Sequence, residues 1–405
     1  MISSLVLSKD AQGTRIASTS TTTDDTRDDA TGSTAASTTT RTTAGDTAPV
    51  TTQNPTHGST ADSSTAVGTA DGATDHSVGT TDRPSTNGPA TPDRAPRAGS
   101  AKAVTAPPRL TTTVPAEYVH RAALAEVFLT GCEKTGPETY VLTGQWPRAH
   151  TFFTTLDGRH DHLQACETLR QTGIYLAHAE HGIPLGHHFV MQDMTVTTHP
   201  EHLTIGSTPT NLTLHTTLSR PTRSPQFTIA FTITNPQDHT LATGHGHFTC
   251  ISPAVYRRMR SAGNPDNTTD PTTHTLKALV HTPTNQDPYV FGRVDSRDLV
   301  LAPTHQPRTY LLNAHPEHPV LFDHDGDHLP GMVLIEAARQ ATHPHPPTTQ
   351  LTHTHTTFHH YVELTTPTTV VTTPPTHTHN TTTHTVTSHQ NDRPTHTTTL
   401  IHTRL

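Results

Sequence analysis

The sequence predicts an α+β protein: two tandem copies of one domain, each a central helix wrapped by an antiparallel sheet, behind a disordered N-terminal tail. Three observations carry that expectation. The motif Glu-x-x-Arg-Gln occurs twice, as Glu167, Arg170 and Gln171 and again as Glu336, Arg339 and Gln340, inside stretches that match in order. Each copy runs from one helical stretch into several strand-like segments, the order of a fold whose sheet covers its helix. Residues 17–106 carry hardly a large aliphatic side chain and no aromatic one.

From the N-terminus, residues 1–108 read as a low-complexity tail of Ser, Thr, Asp, Gly, Ala and Pro. Such a segment buries too little apolar surface to offset the entropy of ordering it. The first domain is expected at 109–255 and the second at 286–405, each long enough to close a core. Between them, residues 256–285 are rich in Arg, Asn, Asp, Thr and Pro and read as a linker.

The two copies correspond well beyond the motif. Asp161-His162-Leu163 matches Asp327-His328-Leu329, Tyr140-Val141-Leu142 matches Tyr310-Leu311-Leu312, and Val119-His120-Arg121 matches Phe291-Gly292-Arg293. The offset stays between 166 and 172 residues. That period is too long for a solenoid repeat and marks duplication of a whole domain. The paired polar motifs are therefore expected to be equivalent sites.

In the first copy, strand-like runs at 125–130 and 139–143 precede a helix at 162–179, and strands follow at 188–198, 211–219, 226–234 and 239–252. In the second, runs at 298–302 and 308–313 precede a helix at 330–342, and strands follow at 350–364, 368–373, 380–388 and 395–403. Asn235-Pro236, Ser252-Pro253 and Pro374-Pro375 punctuate them. From Gly331 to Ala338 apolar residues surround the helix on nearly every side, the pattern of a buried helix. Pro330 is tolerated at its start, where a missing N–H is not needed. Joining one strand edge from each copy leaves fewer unpaired edges, so the copies are expected to pack as an intramolecular pseudo-dimer.

Composition narrows the function classes. The 405 residues carry a formal net charge of -8 with scattered Lys and Arg, so no basic stripe points to nucleic acid or an anionic membrane. No window reaches the length of a membrane span, and the first residues lack the basic lead of a signal peptide. Cys132, Cys166 and Cys250 form no CxxC and leave one unpaired, which fits a reducing cytoplasm. His and Thr alternate at 352–355 and 376–379. Imidazoles on one strand face can ligate zinc, but no Cys or carboxylate recurs at ligand spacing. These residues are read as small polar groups filling solvent-facing strand positions, and no metal is expected.

Glu336 is the anomaly. A carboxylate inside Met332-Val333-Leu334-Ile335-Glu336-Ala337-Ala338 must find a partner or titrate at a raised pKa. Arg339, three residues on, shares its helix face; the plainer reading is a helix ion pair contributing about 0.2–0.5 kcal/mol. Recurrence of the motif in a matching helix favours a functional carboxylate suited to general acid–base work. The helix start at Gly331 offers backbone N–H donors to a developing oxyanion. His324 and His328 stand just before that helix, where a turn rich in Asp, His and Gly is the plainer reading and a role in shaping the site is the functional one.

On these residues the chain resembles a known family. His318-Pro319-Val320-Leu321-Phe322-Asp323-His324, followed by Asp327-His328-Leu329-Pro330-Gly331 and Glu336-Ala337-Ala338-Arg339-Gln340, is similar to the A-factor synthase (AfsA-type) family. So are Val119-His120-Arg121, Trp146-Pro147-Arg148-Ala149-His150 and Glu167-Thr168-Leu169-Arg170-Gln171, and the likeness spans about 110 to 405. The resemblance implies tandem hotdog domains and an acyltransferase. It would join a β-ketoacyl group from an acyl carrier protein thioester to dihydroxyacetone phosphate, giving a γ-butyrolactone precursor without metal or redox cofactor. Glu336, Arg339 and Glu167 would be catalytic, with Glu336 as general base, and Arg170, His324, His328 and Gly331 would bind substrate. The first copy has His162-Leu163-Gln164-Ala165-Cys166 where the second has Pro330-Gly331, so the two sites need not be equal. A hotdog dehydratase or thioesterase, and a non-catalytic acyl-binding module, are the alternatives.

Overall fold

The computed structural model describes residues 112–222, 224–263, 279–344 and 348–404, without the side chains of 262 and 263. The expected tail and residues 264–278 of the expected linker lie outside the described residues.

The first copy opens with two strands, β1 (Leu129–Lys134) and β2 (Thr139–Trp146). Helix α1 (His162–Ala179) follows, and Asp161 caps it by accepting from Leu163 N at 2.9 Å. Four long strands complete the copy: β3 (His188–Thr198), β4 (Thr210–Ser219), β5 (Gln226–Thr234) and β6 (Thr240–Ile251). Nearly all of α1 is buried, including its polar Gln164, Glu167, Thr168, Gln171 and Thr172.

The residues expected to begin a linker at Tyr256 instead belong to a helix, α2 (Pro253–Gly263). Tyr256 and Arg260, four apart on one face, are buried, and that face anchors the helix. Further on, the chain is pinned by Asn313, which accepts from Thr282 N at 2.8 Å and donates to Thr282 O at 2.7 Å.

The second copy repeats the order with β7 (Leu301–Pro303), β8 (Thr309–Leu312) and helix α3 (Gly331–Ala341). It continues with β9 (Gln350–Phe358), β10 (Thr369–Thr372), β11 (Thr376–His377), β12 (Thr381–Gln390) and β13 (Arg393–Thr403).

The strands form one antiparallel sheet in the order β1-β2-β4-β5-β6-β3-β9-β13-β12-β10-β8-β7, with β11 paired to β12 off this path. The seam between the copies is β3 against β9, from Asp193 opposite Thr357 to Thr197 opposite His353. The expected joining of two strand edges is thus observed, and each half of the sheet wraps one helix, giving two tandem hotdog domains. Among the described residues, no helix is long and apolar enough to cross a membrane.

The His- and Thr-rich strands depart from expectation. Many of these residues face the interior: Thr354, Thr356, Thr398, His396 and His402 are all buried. Each buried hydroxyl or imidazole needs a partner there. Thr356 Oγ1 meets His396 Nε2 at 2.8 Å and Thr398 Oγ1 at 2.8 Å, and Thr354 pairs with His162. Across the seam, Thr195 and Thr197 bond His355 and His353, each at 2.8 Å. The second domain therefore has a partly polar, hydrogen-bonded core.

Candidate active site

Each repeat motif builds the same buried node. Glu336 is fully buried, and its Oε1 accepts from Arg293 Nε at 2.7 Å, Arg339 Nη2 at 2.8 Å and Gln340 Nε2 at 2.6 Å. Its Oε2 accepts from Arg293 Nη2 at 2.6 Å and Arg339 Nε at 2.8 Å. Glu167, also fully buried, accepts from Arg121 (Nε 3.0 Å, Nη2 2.7 Å), Arg170 (Nε 2.9 Å, Nη2 2.8 Å) and Gln171 (2.8 Å).

The backbone partners correspond too. Gln171 accepts from Phe128 N and donates to Glu126 O, while Gln340 accepts from Val300 N and donates to Asp298 O. Each node also reaches into the other copy. Arg121 Nη1 donates to Val320 O at 2.7 Å; Arg293 Nη1 donates to Phe152 O and, at 3.0 Å, to Asp161 Oδ2.

This geometry bears on the role expected of the glutamates. Burial alone would raise a carboxyl pKa, but the guanidinium pairs, Arg293 with Arg339 and Arg121 with Arg170, hold Glu336 and Glu167 at about 2. A carboxylate so fully hydrogen-bonded, and ionised throughout the neutral range, is a poor general base. Arg339 donates to Glu336 and to Phe291 O at 3.0 Å, as Arg170 donates to Glu167 and to Val119 O at 3.2 Å; the two differ in exposure, not in these bonds. The paired carboxylates form buried ion clusters that tie each helix to the loop before its sheet. Arg121 and Arg293, which complete them, were missed as partners, although their shared offset of 172 residues was visible in the repeat.

A cavity of about 620 Å³ lies between the copies and gathers the other expected residues. Arg170, His324, His328 and Gly331 all line it; Glu167, Glu336 and Arg339 do not. Its apolar lining includes Ile174 of α1, Met194 of β3, Ile229 of β5, Phe248 of β6, Met332 of α3 and Phe358 of β9. At Gly173 a Cβ would sit 3.1 Å from Phe248, so the missing side chain lets the helix approach this wall.

The polar lining is built around two features. The first is the start of α3. Pro330 is the N-cap and offers no side-chain capping bond, so the helix start lies open beside the cavity at Gly331 and Met332. The second is Arg170, whose side chain keeps 21% of its exposure while Arg339 keeps 8%. His120 and His324 stand near Arg170. Burial first, and then the Arg170 charge, lowers both imidazole pKa values, that of His120 to about 3.

The copies differ at matching backbone positions. His120 and Gly292 both end a 3-10 turn in the left-handed region, with φ of 52° and 69°. A Cβ at Gly292 would lie 2.6 Å from the His343 ring and 2.9 Å from Arg339 Nη1. Glycine therefore lets the second copy close over its arginine. In the first copy a histidine bears the left-handed strain and lines the cavity. The two helix starts differ as well. His162 is buried, bonded to Thr198 at 2.9 Å and to Thr354, whereas His328 lines the cavity. The open site thus takes its arginine from one copy and its helix start from the other. Among the described residues, no group of His, Cys, Asp and Glu is arranged to hold a metal ion.

The family described as the AfsA A-factor biosynthesis hotdog domain matches residues 103–252 and again 274–404. The chain is 41% identical over 265 residues to a 2-oxo-3-(phosphooxy)propyl 3-oxoalkanoate synthase of Streptomyces virginiae, spanning 63% of this chain and 85% of that protein. To the enzyme of the same name from Streptomyces coelicolor it is 33% identical over 233 residues, 56% of this chain and 71% of that one. Among solved structures it is similar to a 12:0-ACP thioesterase from Umbellularia californica, with TM-score 0.42, 8% identity, and coverage of 65% and 98% of the two chains.

Proposed function

The chain belongs to the A-factor biosynthesis hotdog family, and on that premise we propose that it is an acyltransferase that esterifies dihydroxyacetone phosphate with a β-ketoacyl group. The product named by its relatives, a 2-oxo-3-(phosphooxy)propyl 3-oxoalkanoate, is the ester of those two parts. Such an ester is a γ-butyrolactone precursor. The donor is an acyl thioester, in this reading one carried on acyl carrier protein, and the compartment is the reducing cytoplasm in which three free thiols persist.

The observation that carries this reading is the mixed lining of the cavity. A wall of Ile174, Met194, Ile229, Phe248 and Phe358 suits an acyl chain. The N–H groups that begin α3 suit the thioester oxygen, where negative charge grows as the carbonyl is attacked. Arg170 suits the acceptor phosphate, with His120 and His324 as neutral hydrogen-bonding neighbours. Beside the cavity, α2 turns Arg257, Arg258, Val255 and Met259 to solvent, a basic and apolar face suited to an acidic carrier protein.

A dehydratase reading would need one of the motif glutamates to exchange protons near neutrality within the cavity. Neither lines it, and both are held ionised. The test is to incubate the full chain with β-ketoacyl carrier protein and dihydroxyacetone phosphate and to follow thiol release and the phosphorylated ester by mass spectrometry. Ester forming in step with thiol supports the proposal. Thiol without ester, or an enoyl product from a 3-hydroxyacyl donor, would replace it.

A further inference from the structure

We infer that His328, oriented by Asp327, is the general base that takes the proton of the attacking hydroxyl, and that Tyr256 and Arg260 of α2 position this pair. The inference rests on the acyl-transfer reading above and adds to it the group that moves the proton.

Asp327 Oδ1 and His328 Nδ1 are 2.7 Å apart, which commits that ring nitrogen to the carboxylate and leaves Nε2 for the substrate. The same division of labour, an imidazole base held by a buried acid, recurs in unrelated acyl-transfer enzymes. The Asp327 side chain keeps 12% of its exposure and that of His328 keeps 33%, so the acid is sheltered while the base is reachable. His328 lies only three residues before Gly331, whose N–H belongs to the open start of α3. Leu329, between them, donates its N–H to Val362 O at 2.9 Å and fixes the backbone. Base and oxyanion donors therefore sit on one short, pinned segment.

Asp327 is itself oriented from α2. Tyr256 Oη donates across its two oxygens, at 2.7 Å and 2.9 Å, and lies 3.2 Å from His328 Nδ1. Arg260 donates from Nε to Asp327 Oδ2 at 3.2 Å, from Nη2 to Asp327 O at 3.2 Å, and to both oxygens of Glu363 at 2.6 Å and 2.8 Å. The titratable groups around the pair are thus Tyr256 and Arg260 from α2, His188 from β3 (stacked on Tyr256 at 3.6 Å), and Tyr361 and Glu363 from the segment after β9. Burial works to raise the Asp327 pKa, but hydrogen bonds from His328 and Tyr256 hold it well below the carboxylate range. In the first copy the matching Asp161 and His162 are consumed by a helix cap, an arginine and two threonines, so the dipeptide faces a cavity in one copy alone.

The step balances without a co-reactant. As the acceptor oxygen bonds to the thioester carbon, Nε2 takes its proton and the carbonyl electron pair moves to oxygen, facing the N–H groups of α3. Collapse breaks the C–S bond, and the departing sulfur takes the proton back from Nε2. One ester and one thiol result.

The test uses the full chain with β-ketoacyl carrier protein and dihydroxyacetone phosphate. His328→Ala is expected to lower kcat by about 10²–10⁴-fold with little change in KM for the donor, and added imidazole should restore part of the rate. Asp327→Asn should move the acid limb of the pH–rate profile down, because the imidazolium loses its counter-charge. Tyr256→Phe should move it up, because Asp327 loses a donor and becomes a stronger partner for the proton. A positional role without proton transfer would leave that limb in place. His328→Ala that folds and turns over within threefold of the unchanged protein overturns the inference. If His328→Ala does not fold, an unmoved limb in both Asp327→Asn and Tyr256→Phe overturns it. Absence of ester from the unchanged protein would instead remove the acyl-transfer reading itself.

Discussion

Arg293 and Glu336, 43 residues apart in sequence, meet as a buried two-pronged ion pair, Nε to Oε1 at 2.7 Å and Nη2 to Oε2 at 2.6 Å. Arg293 also donates to Phe152 O and Asp161 of the other copy, so one guanidinium joins a helix, a loop and the domain interface. Removing one partner of such a pair leaves an uncompensated buried charge at a cost of about 3–5 kcal/mol. Arg293→Ala and Glu336→Gln should both show that loss as a lower denaturant midpoint. Glu336→Gln that keeps full stability and loses only turnover would return the glutamate to a chemical role.

Acid should weaken the fold in two stages. Burial lowers the pKa values of His162 and His396 to about 3, against an unfolded value near 6.5. Between those limits the unfolded chain binds more protons, so this contribution is complete above about pH 6.5 and is lost as the pH falls towards 3. The arginine-paired Glu167 and Glu336, at about 2 against an ordinary 4.5, add a second loss below about pH 4.5. Urea midpoints at pH 7.5 and 5.5 check the first stage. The midpoint should drop, and His396→Gln should reduce the drop; an unchanged midpoint contradicts the buried neutral histidines.

The left-handed pair His120 and Gly292 makes opposite predictions for the two copies. Gly292→Ala adds a Cβ against His343 and Arg339 at positive φ and should destabilise the protein by at least about 1–2 kcal/mol. His120→Gly should leave stability within about 1 kcal/mol, because relieved strain offsets added chain freedom. It should nevertheless raise KM for dihydroxyacetone phosphate, as should Arg170→Gln, by about tenfold or more. Thermal melts and acceptor titrations separate the outcomes. An unchanged acceptor KM in both variants would move the phosphate site elsewhere.

Much of the architecture was legible in the sequence. Periodicity placed α1 and α3 within a residue or so, and β3 and β5 at their observed bounds. The strand patterns that begin at 125 and 298 start ahead of the strands themselves. Gln171 and Gln340 claim backbone groups at Glu126, Phe128, Asp298 and Val300, so pairing begins only at Leu129 and Leu301. Contacts of this long-range kind leave no local pattern.

The site was half legible. Arg170, His324, His328 and Gly331 meet in one cavity, while the duplicated glutamates, the most conspicuous signal, lie outside it in buried ion clusters. Recurrence of a polar motif in both copies reports what both helices need, and both need anchoring. The copies diverge in sequence at His120 and Pro330, and in setting at His328, whose counterpart His162 is buried against Thr198 and Thr354. Tyr256 and Arg260 were hidden because their segment is polar and rich in turn-forming residues, which masks a helix with a single buried face.

The central claim is that one acyl site is assembled from halves of both copies rather than one site in each. Calorimetric titration of the full chain with a non-transferable β-ketoacyl pantetheine amide measures this directly. The structure predicts one acyl ligand bound per chain, weakened by Gly173→Val at the apolar wall. Two equal sites per chain, or binding indifferent to that wall, would contradict it.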